Sequence, residues 1–337
     1  MKFKIIWPKK EIDLETALSG ERQKKLKRLG KHYNSKIEDY SLSSLYNNIV
    51  EVLKEEGVDY EIVTSGRFVP PNSEGGKIVL GYHCFSDSPI KNVWMLHTSA
   101  SVGYFHWDRI GYSSFSEPAK SKKFFEESQK TIDTDVAVSW FNEYSQSVKE
   151  NSISRCAQYG KYHAKRDYVF IAGQLSYDTV LRHKNLDPNS YYTKILEKYA
   201  RENIDVVFKR HPAEFTGVAP KHNNIKPPKG CIESKADIHS LIENAKAVFV
   251  INSGVGMEAL WHEKPVVVGG SCDYKYVVAK EVFGEECLKE FKHDKFRFDK
   301  EKVSKYLYHL HNNVYANCYD KENIRKKIHH AICTYEK

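Results

Sequence analysis

Short, continuous apolar runs along this chain alternate with longer stretches whose apolar residues recur every three or four positions. That is the pattern of buried strands set between helices. It is clearest in the second half. Tyr168 to Ala172 reads as a strand, Ser190 to Asn203 as a helix, Ile204 to Lys209 as a strand, Cys231-Ile232 as a short strand and Ile238 to Ala245 as a helix. Ala247 to Ile251 (AVFVI) is then a β-branched run broken by Asn252-Ser253-Gly254. Val255 to Trp261 opens a helix directly from that turn, Lys264-Pro265 stops it, and Val266 to Val268 makes the next strand. Strands and helices at this spacing predict a parallel, doubly wound sheet, in which ligands bind outside the carboxyl ends of the strands. Asp178, His211 and the turn from Asn252 to Gly256 all follow strands, so the pattern predicts that they line one crevice.

The first half reads as another α/β unit. Lys2 to Trp7, Tyr60 to Val63, Ile78 to Tyr82 and Val93 to His97 have strand character, and Leu42 to Glu56 carries Leu45, Ile49, Val52 and Leu53 at helical spacing. Between Gly103 and Pro118 the segment GYFHWDRIGYSSFSEP shows neither period. It is expected to be a loop, either packed down by its own rings or presenting His106, Asp108, Tyr112, Ser113, Ser116 and Glu117 to a cleft. Lys120 to Glu150 is polar and helix-compatible, and composition turns basic between Lys149 and Lys165. Ala17 to Gly30 is densely basic and reads as a solvated helix face or loop, with a membrane-surface patch as the alternative. After Asp273 the chain reads as mostly helical and charged, with Val303, Tyr306, Leu307 and Leu310 at helical spacing.

Composition narrows the classes. A chain of 337 residues exceeds one typical domain of ~150 residues, and the basic stretch near Lys149 to Lys165 divides it into residues 1–155 and 156–337. Hydrophobic content of 41% and aromatic content of 13% support sizeable cores rather than disorder. No apolar run approaches the ~18–20 residues of a membrane span, and the opening MKFKIIWPKK is too short and charged for a signal peptide. A cytoplasmic protein is expected, at most resting on the inner membrane face. Seven cysteines, scattered and without a Cys-x-x-Cys pair, imply neither a disulfide framework nor a zinc site. The formal charge of +8 suits anionic partners, but basic and aromatic residues interleave almost everywhere, so no nucleic-acid face stands out.

The chemistry-bearing positions cluster in the second half. A strand running through a small-residue turn into a helix aims backbone N–H groups and a positive dipole end at the turn, where a phosphate is stabilised. Glu258, one turn into that helix, suits ribose hydroxyls, or is simply a solvated glutamate. His211, beside Lys209 and Arg210, can neutralise a leaving phosphate through charge-assisted hydrogen bonds, which leaves Asp178 as nucleophile or base. Standing alone, His211-Pro212 reads equally as a strand end with a structural histidine. Phosphate-binding loop, dinucleotide and His-Glu-x-x-His signatures are absent. Asp133-Thr134-Asp135 precedes a helical stretch and reads as its cap rather than as a metal clamp.

Three segments taken together, Gln174-Leu175-Ser176-Tyr177-Asp178, Lys209-Arg210-His211-Pro212 and Asn252 to Leu260 (NSGVGMEAL), resemble the capsule polysaccharide synthesis family, in particular its retaining β-Kdo transferases. Gly111-Tyr112-Ser113-Ser114-Phe115-Ser116 is similar to that family's Gly-Tyr-Ser-Gly-Trp-Ser element, departing from it at Ser114 and Phe115. The resemblance spans roughly residues 100–275. It implies an α/β, GT-B-like architecture: two Rossmann-like domains with a cleft between them and C-terminal helices. Residues 1–155 would be the acceptor side and 156–337 the nucleotide-sugar side. It further implies CMP-β-Kdo as donor, a glycan or glycolipid acceptor, and retention through a sugar adduct on Asp178. His211, Asn252, Ser253 and Gly254 would meet the CMP phosphate and Glu258 the ribose. Lys209 or Arg210 would hold the sugar carboxylate, and Gln174 belongs to the same donor-binding set. Glu117 is the acid/base candidate. CMP leaves readily, so no metal or cofactor is expected. Two alternatives stay open: a UDP-sugar-dependent GT-B transferase or epimerase, and a non-catalytic sugar- or lipid-binding subunit of an export assembly.

Overall fold

The computed structural model describes residues 1–8, 35–65, 72–154, 156, 160–181, 187–214, 225–281 and 295–335. The basic stretch from Ala17 to Gly30 lies outside them. Two compact units emerge: one takes the described residues up to Ser121 together with those from His309 onward, and the other runs from Lys122 to Tyr308. The partition therefore differs from the compositional one at residue 155. The polar segment after Lys122 counts with the second unit, and the terminal helix counts with the first.

The first unit is built on a sheet of six strands: β1 (Lys2–Pro8), β2 (Asp59–Ser65), β3 (Lys77–Tyr82), β4 (Val93–Thr98), β5 (Tyr104–Asp108) and β12 (Tyr315–Asn317), in the order β12-β5-β4-β3-β1-β2. The pairs from β2 to β4 are parallel, and β5 pairs antiparallel to both β4 and β12. One face is covered by helix α1 (Ser35–Glu55) and by helix α9 (Lys321–Tyr335), which place Leu45, Ile49, Val52, Ile324 and Ile328 against Phe3, Ile5, Leu80, Leu96 and Trp107. Beside this core, Arg325 bridges Glu55 at 2.7 Å and Lys321 bridges Glu51 at 2.7 Å, tying the two helices at their rim.

Two elements here correct the sequence reading. Tyr104–Asp108, expected within an aperiodic loop, is a strand that places His106 and Asp108 in the sheet. Four of its five positions are buried, so the alternation that marks a half-exposed strand never arises. Tyr315–Asn317, expected within terminal helices, is the edge strand paired to it. A three-residue strand has no period of its own and exists through its partner.

The second unit follows the expected pattern closely. Its strands β6 (Tyr168–Ala172), β7 (Val206–Lys209), β8 (Ile232–Glu233), β9 (Ala245–Val250), β10 (Val266–Val268) and β11 (Lys280–Glu281) are all parallel, in the order β11-β10-β9-β6-β7-β8. Between them lie α5 (Pro188–Arg201), α6 (Ile238–Glu243) and α7 (Gly254–Trp261). From β6 the chain winds outward through β7 and β8, then returns to lay β9 on the other side of β6. The order reverses between β6 and β9, and their carboxyl ends form the topological switch point where doubly wound sheets bind ligands. On one face Tyr192, Ile195 and Tyr199 of α5 pack on Ile171, Phe208 and Phe249.

Helices α2 (Glu117–Lys120), α3 (Lys122–Thr131), α4 (Thr134–Asn151) and α8 (Lys300–Asn313) complete the described elements used below. Asp133 caps α4, its Oδ1 accepting from the Val136 N–H at 3.0 Å. Cys84, Cys272 and Cys318 are buried free thiols. Among the described residues no helix is long and apolar enough to cross a membrane.

Candidate active site

The switch point is held by side-chain amides. Gln174 and Asn252 follow β6 and β9, and both are buried, at 2% and 5% exposure. The Gln174 amide nitrogen donates to Asn252 Oδ1 at 2.8 Å and to Asp178 Oδ2 at 3.1 Å, while its Oε1 accepts from the Asn252 backbone N–H at 3.3 Å. Asn252 Nδ2 donates in turn to the carbonyls of Val180 and Ser271, at 2.9 and 3.2 Å. Each amide thus uses both ends, as buried polar groups must. Asp178 sits half-buried at the edge of this network. Its Oδ1 accepts from the Val180 N–H at 3.3 Å and its backbone N–H bonds Leu175 O at 3.1 Å, so the carboxylate is oriented by the turn and by Gln174 together.

The adjoining helix α7 opens as the pattern predicts. Ser253 is its N-cap, accepting from the Val255 N–H at 3.3 Å, and Ser253, Gly254 and Val255 are all partly exposed. Sequence reading missed how this turn is fastened. The Tyr274 phenol donates to the Ser253 carbonyl, and Gly256 makes room for it: a Cβ there would lie 2.3 Å from the phenol oxygen. Burial holds the Tyr274 phenol well above its usual range, so it remains a donor. Two more phenols satisfy strand-end carbonyls, Tyr191 to Val250 at 3.1 Å and Tyr192 to Ala172 at 3.0 Å. The one available signal was a glycine in the first turn of a helix, where an alanine would otherwise be the better helix former. Glu258, expected at a ribose, is buried at 7% exposure.

The loop after β7 contributes unevenly. His211 is half-buried, and its Nδ1 accepts from the Ala213 N–H at 3.2 Å. The neutral imidazole therefore carries its proton on Nε2, the nitrogen that would donate to an anion. Lys209 is buried; its ammonium donates to the Ala236 carbonyl at 2.6 Å. Burial pulls its pKa down, and the negative charges of Glu258 and Asp237 act against that shift. Arg210 is committed to carboxylates, with Nε 2.8 Å from Glu233 and a second contact to Glu214 at 3.8 Å. Partial burial, and then the charges of Glu214 and Asp178, raise the pKa of the Tyr177 phenol.

Glu117 belongs to the first unit. Asp108, the last residue of β5, accepts from the N–H groups of Ile110 at 2.8 Å, Gly111 at 3.0 Å and Glu117 at 2.9 Å, so one carboxylate closes both ends of the loop expected to carry function. Burial first, and then the charge of Glu117, push Asp108 up to about 7 despite those hydrogen bonds. Burial also raises the Glu117 carboxyl, with Arg109 opposing it, which suits a group that takes up and returns protons. Of the expected residues, Gln174, Asp178, Asn252, Ser253 and Gly254 meet at the switch point, with Lys209, His211 and Glu258 on the neighbouring strand end and helix. Arg210 faces Glu233 on the edge strand.

Comparison with known proteins adds the following. The family described as "Capsule polysaccharide biosynthesis protein" matches residues 123–317. No curated protein is a significant match. Among solved structures, the Thermosulfurimonas dismutans KpsC, beta Kdo 2,4 transferase, is similar at 15% identity over 77% of this chain and 85% of that one, with a TM-score of 0.50. A beta Kdo 2,7 transferase of the same organism covers 91% of this chain and 89% of its own at 15% identity, with a TM-score of 0.45. The Methanocaldococcus jannaschii UDP-GlcNAc 2-epimerase covers 99% and 100% at 13% identity, with a TM-score of 0.32. At these identities the first likeness speaks for the fold, which is α/β and GT-B-like.

Proposed function

Because this chain belongs to the capsule polysaccharide biosynthesis protein family, we propose that it is a glycosyltransferase that moves β-Kdo from CMP-β-Kdo to a saccharide acceptor, with retention. The observation that carries the reading is the Gln174 amide, which donates at once to Asp178 and to Asn252 at the reversal of the sheet. It sets a half-buried carboxylate beside a capped helix start, the pairing that a nucleophile and a departing phosphate call for. The beta Kdo 2,4 transferase whose fold resembles this chain supports the same choice of sugar.

In this mechanism the anomeric carbon of Kdo, fully substituted and bearing a carboxylate, develops oxocarbenium character as its bond to the CMP phosphate breaks. CMP leaves with the electron pair, and an Asp178 oxygen closes on the opposite face to form the glycosyl ester. The acceptor hydroxyl then attacks that carbon, giving its proton to Glu117, and the Asp178 carboxylate is released. Two inversions give net retention. His211 Nε2–H, the Ser253 hydroxyl and the first N–H groups of α7 stabilise the departing phosphate, and Glu258 takes the ribose. The sugar carboxylate falls to Lys209 or Arg210; Arg210 reaches it only by releasing Glu233 or Glu214. The reaction would run in the cytoplasm, where nucleotide sugars are made. Mass spectrometry after incubation with CMP-β-Kdo should find one Kdo on the peptide containing Asp178. An unmodified Asp178 in an enzyme that still turns over donor refutes the assignment.

A further inference from the structure

The carboxyl ends of β3 and β4 in the first unit carry an ordered group of rings. Tyr82, the last residue of β3, lies parallel to His97 of β4 (6.1 Å between centroids, 10° between planes), and Tyr112 lies face to face with His97 at 3.7 Å and 7°. His83 stands perpendicular to all three, at 79° to Tyr82, 78° to His97 and 80° to Tyr112. Tyr82, His83 and His97 are each only partly buried. His97 Nδ1 meets the Thr98 carbonyl at 2.7 Å, which fixes that nitrogen as the donor. The cluster is joined to the Glu117 loop: Phe85 stacks on Phe115 at 3.8 Å, and the Ser86 N–H bonds Ile110 O at 2.8 Å.

His83 holds this place at a conformational cost. Its φ of 55° lies in the left-handed region, which few non-glycine residues adopt, histidine more often than most. A glycine would adopt the same backbone without that cost. Flat parallel rings with a perpendicular imidazole edge offer an apolar plate beside a hydrogen-bonding edge. A pyranose has the matching surfaces, one face of C–H groups and a rim of hydroxyls.

We infer that Tyr82, His83 and His97, backed by the buried Tyr112 ring, form a subsite for a pyranose ring of the saccharide acceptor, with His83 binding one of its hydroxyls. The inference rests on the glycosyltransferase reading and specifies where its acceptor is recognised. The test is NMR titration of the full chain with methyl β-glycosides of glucose, galactose and N-acetylglucosamine, in the absence of donor. At least one glycoside should show upfield ring-current shifts of its C–H protons together with shifts of the His83 and His97 imidazole resonances. His83→Gly, which relieves the left-handed backbone and so keeps the fold, should weaken that binding about tenfold. Binding unchanged in His83→Gly, or no glycoside binding at all, overturns the inference, as does CMP producing the imidazole shifts instead. Formation of the Asp178 adduct is read separately on donor alone, so failure of the subsite and failure of the transferase reading remain distinguishable.

Discussion

The two units place chemistry-bearing loops at the carboxyl ends of parallel strands by different means. In the second, two buried amides and three phenols bind the loops to one another, and apart from the Gln174–Asp178 bond these contacts run between residues far apart in sequence. In the first, one buried carboxylate gathers a loop whose ends lie only nine positions apart, and stacked rings hold the rest. The amide network fixes direction, because each hydrogen bond has a preferred angle. Rings fix spacing while leaving faces for a flat ligand. The first arrangement suits a reacting carboxylate and the second a bound sugar.

Substitutions and a pH titration can break or sharpen this contrast. The largest effect should come from Asp178→Asn, which removes the proposed nucleophile: the proposed Kdo adduct should not form and transfer should fall by roughly 10³-fold or more. Glu117→Gln in the first unit should instead let the adduct accumulate, because only the acceptor step loses its base. An Asp178→Asn enzyme transferring at the normal rate would place the reacting group elsewhere. Next is Gln174→Leu, which leaves the Asn252 Oδ1 and backbone N–H without their partner and frees Asp178 to swing. A loss of about 2 kcal/mol in denaturant unfolding is expected, with a fall in kcat larger than any rise in KM. An unchanged kcat would reduce Gln174 to a structural role.

Gly256→Ala is smaller and isolates one contact. The added methyl meets the Tyr274 phenol, which should destabilise by about 1–3 kcal/mol. Combined with Tyr274→Phe, the loss should be less than the sum of the two single changes, since the phenol oxygen is the nearest obstruction. Strict additivity would show that the turn relaxes independently.

The smallest effects are pH slopes of opposite sign. Asp108 is pushed up to about 7 in the folded chain, against roughly 3.9 unfolded. Its contribution to stability is present at low pH and lost as pH rises toward 7. In the second unit the His239 Nε2 bonds the Ile153 carbonyl at 3.0 Å, which leaves its Nδ1 to accept from His262 Nε2 at 2.9 Å. Burial, and then the charge of His239, pull His262 down to about 3, against about 6.5 unfolded. Its contribution is present above that value and is lost as pH falls. Between pH 7 and 5 the two should oppose each other, each by at most about 1.4 kcal/mol per pH unit. Hydrogen exchange followed separately for β5 and α6 should show protection moving in opposite directions, with Asp108→Asn and His262→Asn each flattening its own unit.

Legibility followed the physical origin of each element. Strands β6, β9 and β10 were readable because a strand buried on both faces must be apolar throughout, and the helix α7 because a cap, a glycine and a stopping proline bound it. Asp178, His211 and Ser253 were readable as residues just past strand ends. Strand β5 was not, since the buried His106 and Asp108 interrupt its apolar run, and β12 was not, since three residues carry no period.

What the residues determined by themselves was the alternation of elements, and hence a parallel sheet whose strand ends carry an aspartate, a histidine and a capped turn. Local burial and capping need only neighbours in the chain. Only tertiary structure decided that the sheet reverses between β6 and β9, that one glutamine amide reaches both Asp178 and Asn252, and that Tyr274 needs the space Gly256 leaves. The contacts of Gln174 with Asn252 and of Tyr274 with Gly256 join positions 78 and 18 residues apart, and a hydrogen bond or a close packing of that kind depends on distances in space that no sequence spacing encodes.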